Sequence, residues 1–372
     1  MTTAPKRVTR KFVRKLLQAS ARRAKVEIST YEAEELELLF TYVADLRKDV
    51  LQEFLASHDL LKTGSKAEVI SRLQDAIEQR VLTYDALIAL LDRVEPWSKQ
   101  HVFLFGSPTD MVLDNWKDAA WVETHLKSNR VHKYLKAVVP LLLPESLRLS
   151  RIECDKTRLR VVSVERREGF EHIEEFDKEG LTKDGDEVTY KAFVRQVTRG
   201  LICFEWDLQA NHAFLQISQL PSHESYDDAM TRFASLVSGW LPLANFPVLP
   251  VRGAILQFHK LDQLGQGSVR SHRVELAALD GRRISGSSAS AQQSLKGNPA
   301  IDQAMSSVRD NGGVGHLGNF YLLPEAQNAS NPIATDSDAH IMLLGNRDRL
   351  NFMTPQNESV VRYVLQRVRE AC

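Results

Sequence analysis

The chain has 372 residues, with 48 bases balanced by 48 acids and a hydrophobic fraction of 43%. That length leaves room for two or three domains with ordinary cores, and no apolar run approaches the ~20 residues of a membrane-spanning helix. Cys154, Cys203 and Cys372 are scattered and odd in number, which indicates neither a disulfide framework nor a CxxC zinc site and fits a reducing, intracellular compartment, cytoplasm, nucleoid or nucleus.

The neutral total hides an asymmetry. Residues 1–26 carry nine bases and no acid, so the remainder is net acidic by the same amount. Phe12, Val13, Leu16 and Leu17 interleave with those bases, the pattern of a basic amphipathic helix. It fits a nucleic-acid-binding arm over residues 1–29, with Arg7, Arg10, Lys11, Arg14 and Lys15 as phosphate contacts. An organelle presequence has the same Arg-rich, acid-poor composition, and so does a helix that docks on an acidic protein surface. There is no signal-peptide apolar region, so secretion is not expected.

Residues 30–144 read as a helical domain. Leu36, Leu39, Phe40 and Val43 mark one helix face. Val50, Leu51, Phe54 and Leu55 mark a second, and Val69, Ile70, Leu73 and Ile77 a third. Ser65-Lys66-Ala67-Glu68 has the form of a capping box, in which hydroxyl and carboxylate satisfy the free amides at a helix start. Gly64 before it tolerates the positive φ of a tight turn. Another helix is expected from Thr83, its N-cap, to Val94, and Glu95-Pro96-Trp97 breaks it. His101 to Pro108 reads as a short extended or turn segment, and a helix pair is expected from Asp114 to Val139.

The leucine-bearing helix, the polar-glycine turn and the run Lys66-Ala67-Glu68-Val69-Ile70-Ser71-Arg72-Leu73 resemble the SAP module, a small helical unit that binds duplex DNA. The resemblance covers residues 46–77 and implies phosphate contacts from Lys62, Lys66 and Arg72. The charge balance is thin, with seven acids against six bases between Asp45 and Arg80. Any capped helical hairpin would carry the same apolar stripes as core.

After Pro144 the texture changes to an α+β domain over residues 145–372 with a mixed sheet. Strands are expected at 147–153, 158–165, 190–197, 201–208, 213–218, 253–261, 272–279, 320–323 and 340–344. Helices are expected at 225–241 and 357–370. Mobile loops are expected near 285–318 and 324–338, where Ser, Gly and Ala accumulate. Basic pairs recur at Arg166-Arg167, Arg195 with Arg199, Arg270 with Arg273, and Arg282-Arg283. If the sheet gathered them, Arg166, Arg167, Arg282 and Arg283 would extend a cationic groove along a phosphate backbone.

Little else carries chemistry. Glu205 and Asp207 share a strand face and could hold Mg²⁺, but the lysine of a restriction-type nuclease is missing. As surface carboxylates they would simply face water while Ile202, Phe204, Trp206 and Leu208 face the core. The glycine-dense Gly312–Gly318 lacks the Lys-Ser/Thr of a phosphate loop, and the histidines have no metal-ligand spacing. No cofactor is expected. The order of a helix-rich first third, a Trp97 to Phe103 turn and later strands also resembles centromere protein N and its fungal relatives, which implies nucleosomal DNA and a larger assembly. The expectation is a non-catalytic DNA-binding protein of two domains, with protein partners and no membrane. The rivals are an interaction scaffold without nucleic-acid binding and a metal-dependent nuclease.

Overall fold

A computed structural model describes residues 33–323 and 338–372. The arm expected at 1–29, and the loop expected at 324–338 apart from Asp338, lie outside the described residues. The described residues divide into two compact units: those up to Glu95 with Pro140–Leu142, and those of Pro96–Val139 with Leu143–Cys372.

The first unit packs α1 (Ala33–Asp45), α2 (Lys48–Ala56), α3 (Lys66–Glu78) and α4 (Tyr84–Val94). The stripes foreseen from 3.6-residue spacing form its core: Leu39 and Val43 from α1, Leu51 and Leu55 from α2, Val69 and Leu73 from α3, Leu87 and Leu91 from α4. Thr83 caps α4, its hydroxyl accepting from the Ala86 amide at 3.2 Å.

Among the described residues, the second unit is built on ten antiparallel-paired strands. These are β1 (Gln100–Phe105), β2 (Arg148–Cys154), β3 (Arg158–His172), β6 (Phe193–Asp207), β7 (His212–Ser218), β8 (Val269–Ala277), β9 (Arg283–Ser287), β10 (Val314–Leu322), β11 (Ala339–Leu344) and β12 (Arg349–Phe352). Their order is β2-β3-β6-β7-β1-β12-β11-β10-β8-β9. β4 (Lys178–Leu181) and β5 (Glu187–Tyr190) form a separate two-stranded sheet. The described helices of this unit are α5 (Leu113–Lys117), α6 (Ala119–Ser128), α7 (Tyr226–Val237), α8 (Arg252–Leu264), α9 (Pro299–Asp310) and α10 (Glu358–Ala371).

The sheet is covered on opposite faces at its two ends. Phe204 and Trp206 on β6 and Leu215 on β7 pack with Val122 and Leu126 of α6 and Phe233 of α7. Val274 on β8, Phe320 on β10 and Ile341 on β11 pack with Ile255 and Phe258 of α8 and Val364 and Val368 of α10. β1 lies where the two cores change sides: Phe103 and Phe105 enter one, Val102 and Leu104 the other. Burial on both faces is why this segment is a continuous apolar run without alternation.

Several expectations are corrected. The compact units divide at Glu95/Pro96, with Pro140–Leu142 in the first, and β1 is a central strand of the sheet unit that enters both of its cores. The pair expected over 114–139 is α5 and α6 only. Asp118 separates them by accepting the Ala120 amide at 2.9 Å, and Arg130 beyond α6 takes a left-handed φ of 61°. The segment read as a strand at 253–261 is α8, whose Ala254, Ile255, Phe258, His259 and Asp262 are buried at helical spacing. The strands expected at 190–197 and 201–208 are one strand, β6, because Gly200 keeps its path open beside the Arg167 side chain, which a Cβ there would overlap. The loop expected near 285–318 contains part of β9, all of α9 and part of β10. Asn298 starts α9 by accepting the Ala300 amide at 3.1 Å, ahead of Pro299 in the first turn.

One buried imidazole, His259, and one half-buried, His101, set an acid limit on this unit. Burial pulls His259 down to about 4, with Arg309 adding to the shift and Asp262 and Asp302 opposing it. His101 is pulled down to about 3 by burial and by Arg349. Because these folded values lie below the unfolded value of roughly 6.5, the unfolded chain binds more protons between them. Stability is fully present above that upper value and falls as pH drops toward 4. Denaturant midpoints measured from pH 7 to pH 4 should decline, and His259→Gln should flatten the decline; an unchanged slope in the variant would remove the assignment.

Candidate nucleic-acid interface

The hairpin of α2 and α3 is built by local chemistry that is largely visible in its sequence. Gly64 adopts φ 123°, a region that only glycine enters without strain. A Cβ at that position would meet Glu68 Oε2 at 2.7 Å. Ser65 then caps α3: its hydroxyl accepts from the Glu68 amide at 3.3 Å, and its own amide donates to Glu68 Oε2 at 2.5 Å. Those Ser65 hydrogen bonds hold the Glu68 carboxyl below the usual carboxylate range. A cap of this kind contributes about 1 kcal/mol to helix stability.

The connecting loop is pinned by two side chains that sequence reading did not assign to it. Gln52 of α2 donates through Nε2 to the Lys62 carbonyl at 2.7 Å. Arg72 of α3 donates through Nη1 to the Leu61 carbonyl at 3.0 Å and to the Thr63 carbonyl. The loop is thereby anchored to both helices, with the Leu61 and Lys62 side chains exposed. Gln52 carried no sequence signal, because a side chain that serves a carbonyl ten residues away depends on how the helices close.

The three cations expected here have different surroundings. Lys62 is exposed at the loop, where a solvated ammonium can reach a phosphate. Lys66 opens α3 and is half-buried; burial lowers its pKa while nearby Asp45 raises it. Arg72 is half-buried and engaged with the loop carbonyls. Its first task is to shape the loop. Lys48 at the start of α2 is also exposed and lies within electrostatic reach of Glu68. It belongs to the same cationic neighbourhood and was not singled out from sequence.

The arginines of the sheet unit do not converge. Arg167 is 2% exposed. Its Nε donates to Glu165 Oε1 at 2.9 Å, and its Nη1 to the Ser218 carbonyl at 2.8 Å and the Ser218 hydroxyl at 2.7 Å. It is a buried structural cation and is withdrawn as a phosphate contact. Arg166 pairs with Glu168 at 3.0 Å, Arg282 with Asp280 at 3.2 Å and Arg283 with Glu275 at 3.3 Å. β3 and β9 are separated by seven intervening strands, roughly 40 Å at the usual strand spacing. Arg166 and Arg283 therefore do not line one groove. Arg7, Arg10, Lys11, Arg14 and Lys15 lie outside the described residues.

The carboxylate pair on β6 is also resolved. Glu205 is buried and pairs with Arg362 of α10 at 2.7 Å, so it does not face water. Asp207 instead accepts the Gln209 and Ala210 amides, both at 2.8 Å, and closes the turn to β7. The second face of β6 is covered as well as the first, which an alternating pattern cannot reveal. Among the described residues, no group of three or more His, Cys, Asp or Glu is placed to hold a metal ion. No helix among the described residues is long and apolar enough to cross a membrane.

A search of curated proteins returned no match to the chain. The family model of the SAP domain matches residues 43–78, the stretch that contains α2, the pinned loop and the capped α3.

Proposed function

We propose that the protein binds duplex DNA through its phosphates, with little base readout, as a non-catalytic subunit of a larger nucleoprotein assembly. The observation that carries this reading is the SAP hairpin itself: a loop anchored to both helices, with Lys62 exposed on it and Lys66 opening α3 just after it. Phosphate neutralisation by lysine releases counterions and supplies affinity without sequence preference. Three hairpin lysines make a small footprint, so the basic segment over residues 1–29, with Arg7, Arg10, Lys11, Arg14 and Lys15, is assigned as the second contact. In such a complex Arg72 acts chiefly by holding the loop.

The test is a salt titration of binding to random duplex DNA, with the full chain, a variant lacking residues 1–26, and Lys62→Ala/Lys66→Ala in both. Each lysine lost should lower the slope of log affinity against log salt by about 1. Removal of residues 1–26 should lower it further. If the full chain fails to bind at about 50 mM salt, where non-specific affinity is strongest, the DNA reading is wrong and the hairpin is a protein-interaction element.

A further inference from the structure

β3 and β6 run far past the sheet that contains them. β2 stops pairing with β3 at Val164, and β7 pairs with β6 only from Ile202 onward, yet β3 and β6 remain paired out to His172 and Phe193. The β4–β5 hairpin closes the far end. Among the described side chains from Glu168 to Arg199 none is buried. This is a projecting two-stranded arm with no core of its own.

Its composition is not that of a solvated hairpin. Phe170 is 69% exposed, Phe176 60%, Leu181 70%, Tyr190 62% and Phe193 56%, with Val194 and Val197 also open to solvent. The exposed phenylalanines of the described residues all lie on this arm. Register places Phe170 opposite Arg195 and Phe193 opposite His172, so the two rings share one face two residues apart along the arm. Apolar side chains concentrated on one projection mark an interaction surface.

Charge then selects the partner. Residues 171–191 at the outer end hold eight acids and three bases. Of those acids all but Asp177 are exposed, Glu174, Glu175, Glu179, Asp184, Asp186 and Glu187 at the outermost end. An anionic tip repels acidic ligands, nucleic acid included, and attracts a cationic one. We infer that this arm docks a Lys/Arg-rich segment of a partner protein, whose apolar side chains cover Phe170 and Phe193 while its bases face the acidic tip. This site is independent of the DNA reading, since it lies on other residues and has the opposite charge.

The probe is a fluorescein-labelled amphipathic peptide of 18 residues built from Lys and Leu, titrated by anisotropy into the full chain, with an equal-length Glu/Leu peptide as control. The Lys/Leu peptide should bind in a salt-dependent way and the Glu/Leu peptide should not. Phe170→Ser/Phe193→Ser should weaken binding at least tenfold, and Glu174→Gln/Glu175→Gln/Glu187→Gln should weaken it severalfold and flatten its salt dependence. Because none of these side chains is buried, both variants should keep the parent thermal midpoint. Equal binding of the two peptides, or unchanged binding in the variants, would overturn the proposal. Concentration-dependent dimerisation that disappears in Phe170→Ser/Phe193→Ser would also overturn it, by making a second copy the occupant.

Discussion

Replacing Arg167 with methionine is expected to destabilise the sheet unit by about 3–5 kcal/mol, the cost of leaving a buried carboxylate without its partner. Arg167 and Glu165 are 2% and 4% exposed. The guanidinium also serves the Ser218 carbonyl and hydroxyl, which ties β3 to the end of β7. Arg232 of α7 reaches the same Glu165 oxygen at 3.3 Å and will offset part of the loss. The double variant Glu165→Gln/Arg167→Met should recover much of the stability, since removing both charges removes the desolvation burden together with the attraction. Chemical denaturation of the parent, both single variants and the double variant measures this coupling. Additive losses would mean that the pair is not the source of the cost. DNA affinity of the folded Arg167→Met protein should equal that of the parent, because this side chain does not reach solvent.

Leu73→Ala is the corresponding experiment in the helical unit. Leu73 is fully buried on α3 in the core shared with α1, α2 and α4. Truncation to alanine at such a site costs about 2–5 kcal/mol, from lost burial and the cavity left behind. A small helical unit has little stability to spare, so a large part of its helical signal should melt at a lower temperature. The variant also separates folding from contact. Below its melting range it should bind DNA with the parent's salt slope, whereas Lys62→Ala/Lys66→Ala should melt as the parent does and bind with a reduced slope. If Leu73→Ala changed the slope while still folded, the phosphate contacts would have to be reassigned.

Legibility in the sequence followed the range of the forces involved. The hairpin was readable because its determinants are local. A capping box spans four residues, Gly64 acts on its own φ, and each apolar stripe repeats within one helix. The same holds for Thr83 at the start of α4, for both edges of β2 and β7 and for the start of β3, whereas β3 runs on to His172, well past the end expected at 165. Reading failed where a segment's role depended on what covered it. Residues 252–264 became a helix because β8 and β10 need a helical cover over Val274 and Phe320, and short apolar spacing does not distinguish strand from helix. Glu205 looked like a surface carboxylate because only α10, some 150 residues later, supplies the Arg362 that buries and neutralises it.

The sequence by itself determined the class of the fold, the place of the SAP hairpin and the residues that turn and cap it. It also determined the segregation of nine bases into the first 26 residues, since charge is a property of composition and needs no fold. Only the tertiary structure decided that the units divide at Glu95/Pro96 and that Arg167 is an interior strut. It also decided that Arg166 and Arg283 stand at opposite ends of one sheet, and that an apolar, acidic arm projects from the other residues of its unit. These outcomes depend on strand order and on burial from elements distant in the chain. Both arise from packing between segments whose local patterns do not encode their neighbours.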